Sequence, residues 1–269
     1  VGFVLATGGP SVVKAAYISG NPAIGVGAGN APTLICSDAD IEHAATSVVT
    51  SKSFDNGLIC GSEHNLVVVE SAYEAFISAL KRNNAAVLDE DESTRFAYEI
   101  VNTRNNMFKD EFIGQDPDKI AEATHIKRDY PIRLIVVPMN KVSENNPFSR
   151  EKMAPILSLF KVPDDEAGFE LCQELLGIDG LGHTAIIHTK DEARARQFGR
   201  MMPASRILVN SPGSHGVVGM TTELTPSLTL GCGTFGQTST TDNVTYTHMM
   251  NIKRLAYYSP ERLAQVSIS

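Results

Sequence analysis

No uncharged apolar run in the 269 residues approaches the roughly 18 that a membrane-spanning helix needs, so no membrane segment is expected. No basic segment followed by a cleavable apolar stretch opens the chain, and nothing points to export. Positive charge is in deficit: 23 Lys and Arg stand against 31 Asp and Glu, a formal charge of −8, which argues against nucleic acid as a partner. Cysteine is sparse. Cys36, Cys60, Cys172 and Cys232 are far apart, and no C-x-x-C or Cys/His cluster has zinc spacing. They read as thiols in a reducing cytoplasm, and no metal site is expected. An initial Met is also lacking, and Val1–Ala6 already reads as a buried strand. Such a strand needs neighbours on both sides, so its partners are expected later in this chain or in earlier residues absent from it.

What remains is an ordinary globular composition, with 42% hydrophobic and 20% charged residues, long enough for one large domain or two smaller ones. Strands are expected at Val1–Ala6, Ala23–Val26, Thr33–Cys36, Leu66–Val69, Ile132–Val137, His183–His188 and Arg206–Val209. Helices are expected at Pro10–Ser19, from Asp40 through Ser53, and at Ser71–Arg82, Glu92–Asn102, Asp118–Ala123, Asp164–Leu176 and Asp191–Met201. Pro10 and Gly20 punctuate the first helix, and Asp40 caps the second. The alternation implies an α/β fold with a largely parallel sheet. The Gly-, Ser-, Thr- and Pro-rich stretch from Ser211 to Asn243 is too long for a simple connector and reads as a functional loop. Met249–Tyr258 reads as a short strand for a sheet or a partner subunit.

Several positions suit chemistry. Thr7-Gly8-Gly9, between a strand and a helix, suits phosphate binding, although a turn without a ligand explains it equally well. Gly25-Val26-Gly27-Ala28-Gly29 carries little weight as a dinucleotide fingerprint because it opens no helix. Cys60 follows Asp55-Asn56-Gly57-Leu58-Ile59 and precedes Gly61; the flanking glycines let backbone and substrate approach closely, as a nucleophile requires. Cys36 and Cys172 read as small buried hydrophobes, and Cys232 as structural or pocket-lining. His183, ahead of a strand, suits lining an active site or, more simply, a structural role, and Lys14 suits a phosphate contact or, more simply, surface charge. Ser211, Ser214 and His215 are polar residues of the long loop, and a solvated loop explains them without a ligand.

Five runs carry a resemblance: Ala6-Thr7-Gly8-Gly9, Lys14-Ala15-Ala16-Tyr17, Ile24-Gly25-Val26-Gly27-Ala28-Gly29-Asn30, Phe54-Asp55-Asn56-Gly57-Leu58-Ile59-Cys60 and Leu230-Gly231-Cys232-Gly233-Thr234-Phe235-Gly236. Together they resemble the CoA-acylating branch of the aldehyde dehydrogenase superfamily, over essentially the whole chain. The resemblance implies an aldehyde-dehydrogenase-like α/β fold: part of a Rossmann-type cofactor domain (1–54), a catalytic cysteine domain (55–245) and a C-terminal segment (246–269) returning to the cofactor domain or touching another subunit. It implies that Cys60 attacks an aldehyde and becomes a thioester. Thr7, Gly8 and Gly9 would flank the cofactor pyrophosphate, Glu151 would bind the nicotinamide ribose, and Met153 would pack near its ring. Val26 falls where hydrolytic members place a glutamate base and cannot accept a proton, which fits release to a thiol, coenzyme A, in place of water. Val26, Gly27, Ser211 and His215 would line the substrate pocket.

The implied activity converts a small aldehyde, most simply acetaldehyde, with NAD or NADP and coenzyme A to acyl-CoA, and reverses it. Succinate semialdehyde or another acidic aldehyde, with Arg206 nearby, is the alternative substrate; a hydrolytic enzyme or a non-catalytic fragment is the alternative function. A homodimer or higher assembly is implied. The adenine-ribose contacts and a donor to the substrate oxygen would come from residues before Val1, so this segment alone is expected to bind the cofactor poorly.

Overall fold

The computed structural model describes residues 2–266; Val1, included in the expected first strand, and 267–269, in the expected C-terminal segment, lie outside the described residues. In chain order the elements are β1 (Val4–Thr7), α1 (Pro10–Ile18), β2 (Ala23–Val26), β3 (Ala31–Ile35), α2 (Ile41–Ser53), β4 (Glu63–Val69), α3 (Glu70–Arg82), β5 (Ala85–Val87) and α4 (Glu90–Ile100). They continue with β6 (Val101–Asn102), β7 (Met107–Phe108), α5 (Pro117–Ala123), β8 (Leu134–Met139), β9 (Ile156–Val162), α6 (Asp165–Ile178), β10 (Gly182–His188), α7 (Glu192–Met201), β11 (Ala204–Val209), α8 (Gly213–Val217) and α9 (Pro260–Val266).

Seven strands form one parallel sheet in the order β11-β10-β3-β4-β9-β8-β5. Helices cover both faces. On one, α2 and α3 enclose Val48, Leu66, Val68, Phe76 and Leu159; on the other, α6 and α7 enclose Leu34, Val67, Phe160, Phe169 and Phe198. All seven residues of β4 are buried, as a central parallel strand requires. Asp40 caps α2 as expected, its Oδ1 accepting from the His43 amide at 3.1 Å; α4 starts at Glu90, ahead of the expected Glu92, where Asp89 and Glu92 make a capping box.

β1 and β2 form a separate two-stranded parallel sheet with α1 packed on it. The sheets part between Val26 and Ala31, so the division expected after residue 54 falls within the larger unit. The reason is hydrogen bonding: β3 pairs with both β10 and β4, and α2 packs against α3. The central strand β9 has no counterpart among the expected elements. Ile-Leu-Ser-Leu-Phe-Lys-Val is a short, nearly continuous apolar run behind Pro155, and periodicity does not separate such a run from other buried structure. The strand expected at Met249–Tyr258 does not form. Tyr246–Met249 is a 3₁₀ turn, the next ten residues have no regular structure, and Leu255, Tyr257 and Tyr258 are exposed with no sheet edge beside them.

Candidate active site

Residues that approach Cys60 come from the amino ends of the large sheet. Gly29 and Asn30 precede β3, Cys60 precedes β4, Glu151 and Lys152 precede β9, His183 starts β10, and Arg206 lies near the start of β11. The carboxyl ends of β1 and β2 lead into Gly8-Gly9 and Gly27–Asn30, so the two sheets meet with opposite ends. The Cys60 thiol thus stands at the amino ends of the large sheet, next to the carboxyl ends of the small one.

Local chain geometry fixes Cys60. Asp55, Asn56 and Gly57 are left-handed in succession, with φ of 50°, 49° and 74°, and Asn56 Nδ2 donates to the Gly114 carbonyl at 3.0 Å. A side chain at Gly57 would strike the Ala154 carbonyl, and one at Gly61 would strike Val217. The Asp-Asn-Gly signal therefore marks a turn closed on both sides. The thiol is half-buried, and Cys60 Sγ lies 3.2 Å from His183 Nε2. His183 Nδ1 lies 2.9 Å from Thr184 Oγ1, and the ring is fully buried. Burial, helped by the Arg206 charge, brings the His183 pKa down to about 3, so the imidazole is neutral. Burial, then Glu151 and Cys232, push the Cys60 thiol up to about 12, with Arg206 opposing.

Glu151 is joined to this centre through Gly29. The Gly29 amide donates to Glu151 Oε1 at 3.0 Å, and a Cβ on Gly29 would overlap the Cys60 carbonyl. Burial raises the Glu151 pKa to about 7, against the Gly29 hydrogen bond and the Lys52 charge. Two fully buried lysines frame the site. Lys52 Nζ donates to the Lys152 carbonyl at 2.9 Å and lies 3.2 Å from both Ser62 Oγ and His64 Nδ1. Lys152 Nζ donates to the carbonyls of Phe148 and Arg150 at 2.8 and 2.7 Å and to Asn65 Oδ1 at 3.1 Å. Asn65 in turn donates to Asn30 at 2.8 Å. Three strand starts are thereby cross-linked by polar bonds inside the protein.

The remaining expected residues separate. Thr7 and Gly9 are exposed, but the Gly8 amide donates to the Val26 carbonyl at 3.1 Å, which removes one of the donors expected at that turn. Gly9 starts α1 with open space where a Cβ would stand. Val26 is wholly buried in an apolar cluster with Ile24, Cys232 and Val244, not on an open pocket wall. Gly27 does border a cavity of about 650 Å³, with Lys14, Tyr17, Gly180 and Cys232. Met153 is exposed beside Phe112 and Ile113. Ser211 Oγ lies 2.7 Å from Thr221 Oγ1, and Ser214 Oγ donates to the Ser51 carbonyl at 3.1 Å. Buried hydroxyls need such partners, and these two hold the loop rather than face a substrate. His215 stacks near Phe54, ring centroids 4.8 Å apart. His183, expected to be structural, is the histidine that reaches Cys60. The only local signal for it was its place behind Gly180 and Gly182. Lys52, Lys152 and Arg206 gave none.

The aldehyde dehydrogenase family profile matches residues 3–222. The bifunctional aldehyde-alcohol dehydrogenase AdhE of Escherichia coli strain K12 is 40% identical over 261 residues, which are 95% of this chain and 29% of that protein. An acetylating aldehyde dehydrogenase from Geobacillus thermoglucosidasius is 43% identical with a TM-score of 0.91, over 96% of this chain and 56% of its own. A Rhodopseudomonas palustris propionaldehyde dehydrogenase with bound propionyl-CoA is 28% identical with a TM-score of 0.80, over 90% and 52%. The chain thus spans between about a third and just over half of each. With its parallel sheet and its cysteine turn, it belongs to the aldehyde dehydrogenase family.

Proposed function

We propose that this chain carries the thiol centre of a CoA-acylating, nicotinamide-dependent aldehyde dehydrogenase acting on a small uncharged aldehyde. The contact of Cys60 Sγ with a neutral His183, in a site with valine at position 26, is the observation that carries this reading. The Cys60 sulfur adds to the aldehyde carbon and the thiol proton passes to the carbonyl oxygen, giving a thiohemiacetal. A nicotinamide cofactor would accept the hydride in its oxidation to the Cys60 thioester, and the hydroxyl proton leaves to solvent. The coenzyme A thiol then attacks the thioester carbon, the bond to Cys60 breaks, and the thiol proton returns to Cys60. His183, within hydrogen-bond distance of Sγ, would orient the sulfur during these steps.

The residues present fit the cofactor in part. Gly9 is open to a close approach, and Glu151 is a carboxyl able to accept from ribose hydroxyls. Thr7, Gly9, Glu151 and Met153 would hold it; Gly8, with its amide bonded to Val26, would serve by leaving room. The Arg206 donors are engaged by the carbonyls of Thr241 and Gly231, which favours an uncharged aldehyde over succinate semialdehyde. The same reading includes a homodimer or higher assembly, supported by the exposed Leu255, Tyr257 and Tyr258 and tested by sedimentation of the complete protein.

The decisive experiment assays the complete protein with NAD and NADP, with and without coenzyme A, across acetaldehyde, propionaldehyde and succinate semialdehyde. CoA-dependent cofactor reduction with the short aldehydes, lost in Cys60→Ala, is expected. Equal rates without coenzyme A, or turnover surviving in that variant, would overturn the reading.

A further inference from the structure

Cys60 presents a difficulty. Its thiol is pushed up to about 12, while its histidine partner, near 3, is a poor proton acceptor. Something else in the protein must favour the thiolate. Around Cys60, Glu151 and Cys232 disfavour it, His183 is neutral, and Arg206 is the cation that favours it.

The setting of Arg206 is unusual. It is 3% exposed, yet among the described residues no carboxylate lies within ion-pair distance of it. Nη1 donates to the Thr241 carbonyl at 2.9 Å and to Asn243 Oδ1 at 3.3 Å, Nη2 donates to the Gly231 carbonyl, and Nε is buried without a partner. Asp242 faces it at longer range but pairs with His248 at 3.1 Å. A buried cation bound only to neutral oxygens keeps its field uncompensated. Two contacts tie Arg206 to the surroundings of the thiol. Arg206 stands in register with Thr184, the neighbour of His183. The Gly231 carbonyl it holds leads to Cys232, whose own carbonyl packs on Gly182.

We propose that Arg206 is the positioning residue that sets the reactivity of Cys60: its charge favours the thiolate, and its donors fix the Cys232 loop against the β10 start that carries His183. This rests on Cys60 being the nucleophile. The two ideas fail separately, because the reactivity is read on the thiol itself, with no turnover.

The test is the rate of Cys60 alkylation by iodoacetamide from about pH 7 to about pH 10, followed by mass spectrometry of the Cys60 peptide. Arg206→Lys keeps the charge and loses much of the fork; Arg206→Gln keeps a donor and loses the charge. Above about pH 8.5 Glu151 is ionised in every variant and does not confuse the comparison. Arg206→Gln is expected to slow alkylation about tenfold above that pH, with Arg206→Lys within about threefold of the parent. A Gln profile superimposed on the parent would overturn the proposal. So would Lys and Gln variants slowed alike, the mark of a loop clamp alone. If circular dichroism shows the Gln variant unfolded, the Lys variant decides: a rate within about threefold of the parent supports the charge role, and a larger loss removes it.

Discussion

The small β1–β2 sheet and the seven-stranded sheet meet at one site but are built differently. In β1 half-buried and exposed residues alternate, and Leu5, Val12 and Ile18 on that unit are exposed. In β3 and β4 every residue is buried, with apolar clusters on both faces of the sheet. A two-stranded sheet is marginal in isolation, whereas a wide covered sheet holds its strand ends rigidly. The thiol and its histidine stand on the rigid part; the turn suited to the nucleotide stands on the lightly packed part. On the proposed reading, covalent chemistry would depend on close placement of Cys60 and His183, while the turn at Thr7–Gly9 would tolerate adjustment.

The sharpest break of this comparison is a cavity in the large sheet. Leu66→Ala is expected to cost about 3 kcal/mol in a denaturant melt, because Leu66 is wholly buried between α2 and α3. Next comes Gly29→Ala, whose added carbon meets the Cys60 carbonyl. It should destabilise by about 2 kcal/mol and lower Cys60 alkylation, since backbone cannot swing aside as a side chain can. An unchanged alkylation rate would separate Gly29 from the site.

A smaller effect concerns pH. Burial raises Glu63 and Glu151 from 4.5 to about 7, so between those values the folded chain holds protons that the unfolded chain has released, and stability falls as pH rises. Lys52 is lowered from 10.5 to about 7, so between about 7 and 10.5 the unfolded chain holds the extra proton and stability rises with pH. Below about pH 6.5 His183 and His188, lowered from 6.5 to about 3, act in the opposite sense to the glutamates. Glu63→Gln should therefore make the slope of stability against pH more positive in thermal melts between about pH 4.5 and about 7; an unaltered slope would refute the assignment. The smallest expected change is Val13→Ala on α1, about 1 kcal/mol, with β1 and β2 amides exchanging faster than those of β4. Equal protection of the two sheets would erase the contrast.

Much of the fold was legible because local signals agreed. Pro10 at a helix start, the cap at Asp40, and Asp55-Asn56-Gly57 after the helix end marked boundaries that form as expected. β9 and the division between the sheets were not legible. Both depend on which strands pair, and pairing partners are distant in sequence. The tail beyond Met249 shows the converse: its apolar composition suggested a strand, but a strand needs an edge to join.

The site divides in the same way. The sequence by itself determined Cys60, its glycine-flanked turn and the valine at position 26, because these are properties of neighbouring residues. Only the tertiary structure decided that His183 and not His215 meets the thiol, that Ser211 and Ser214 bond inward, and that Lys52, Lys152 and Arg206 lie buried among the strand starts. A charged side chain in a sequence reads as solvent-facing, since burial without a partner is costly. Here carbonyls of Phe148, Arg150 and Lys152, ahead of β9, and of Gly231 and Thr241 supply those partners, and they converge only when the sheet has formed.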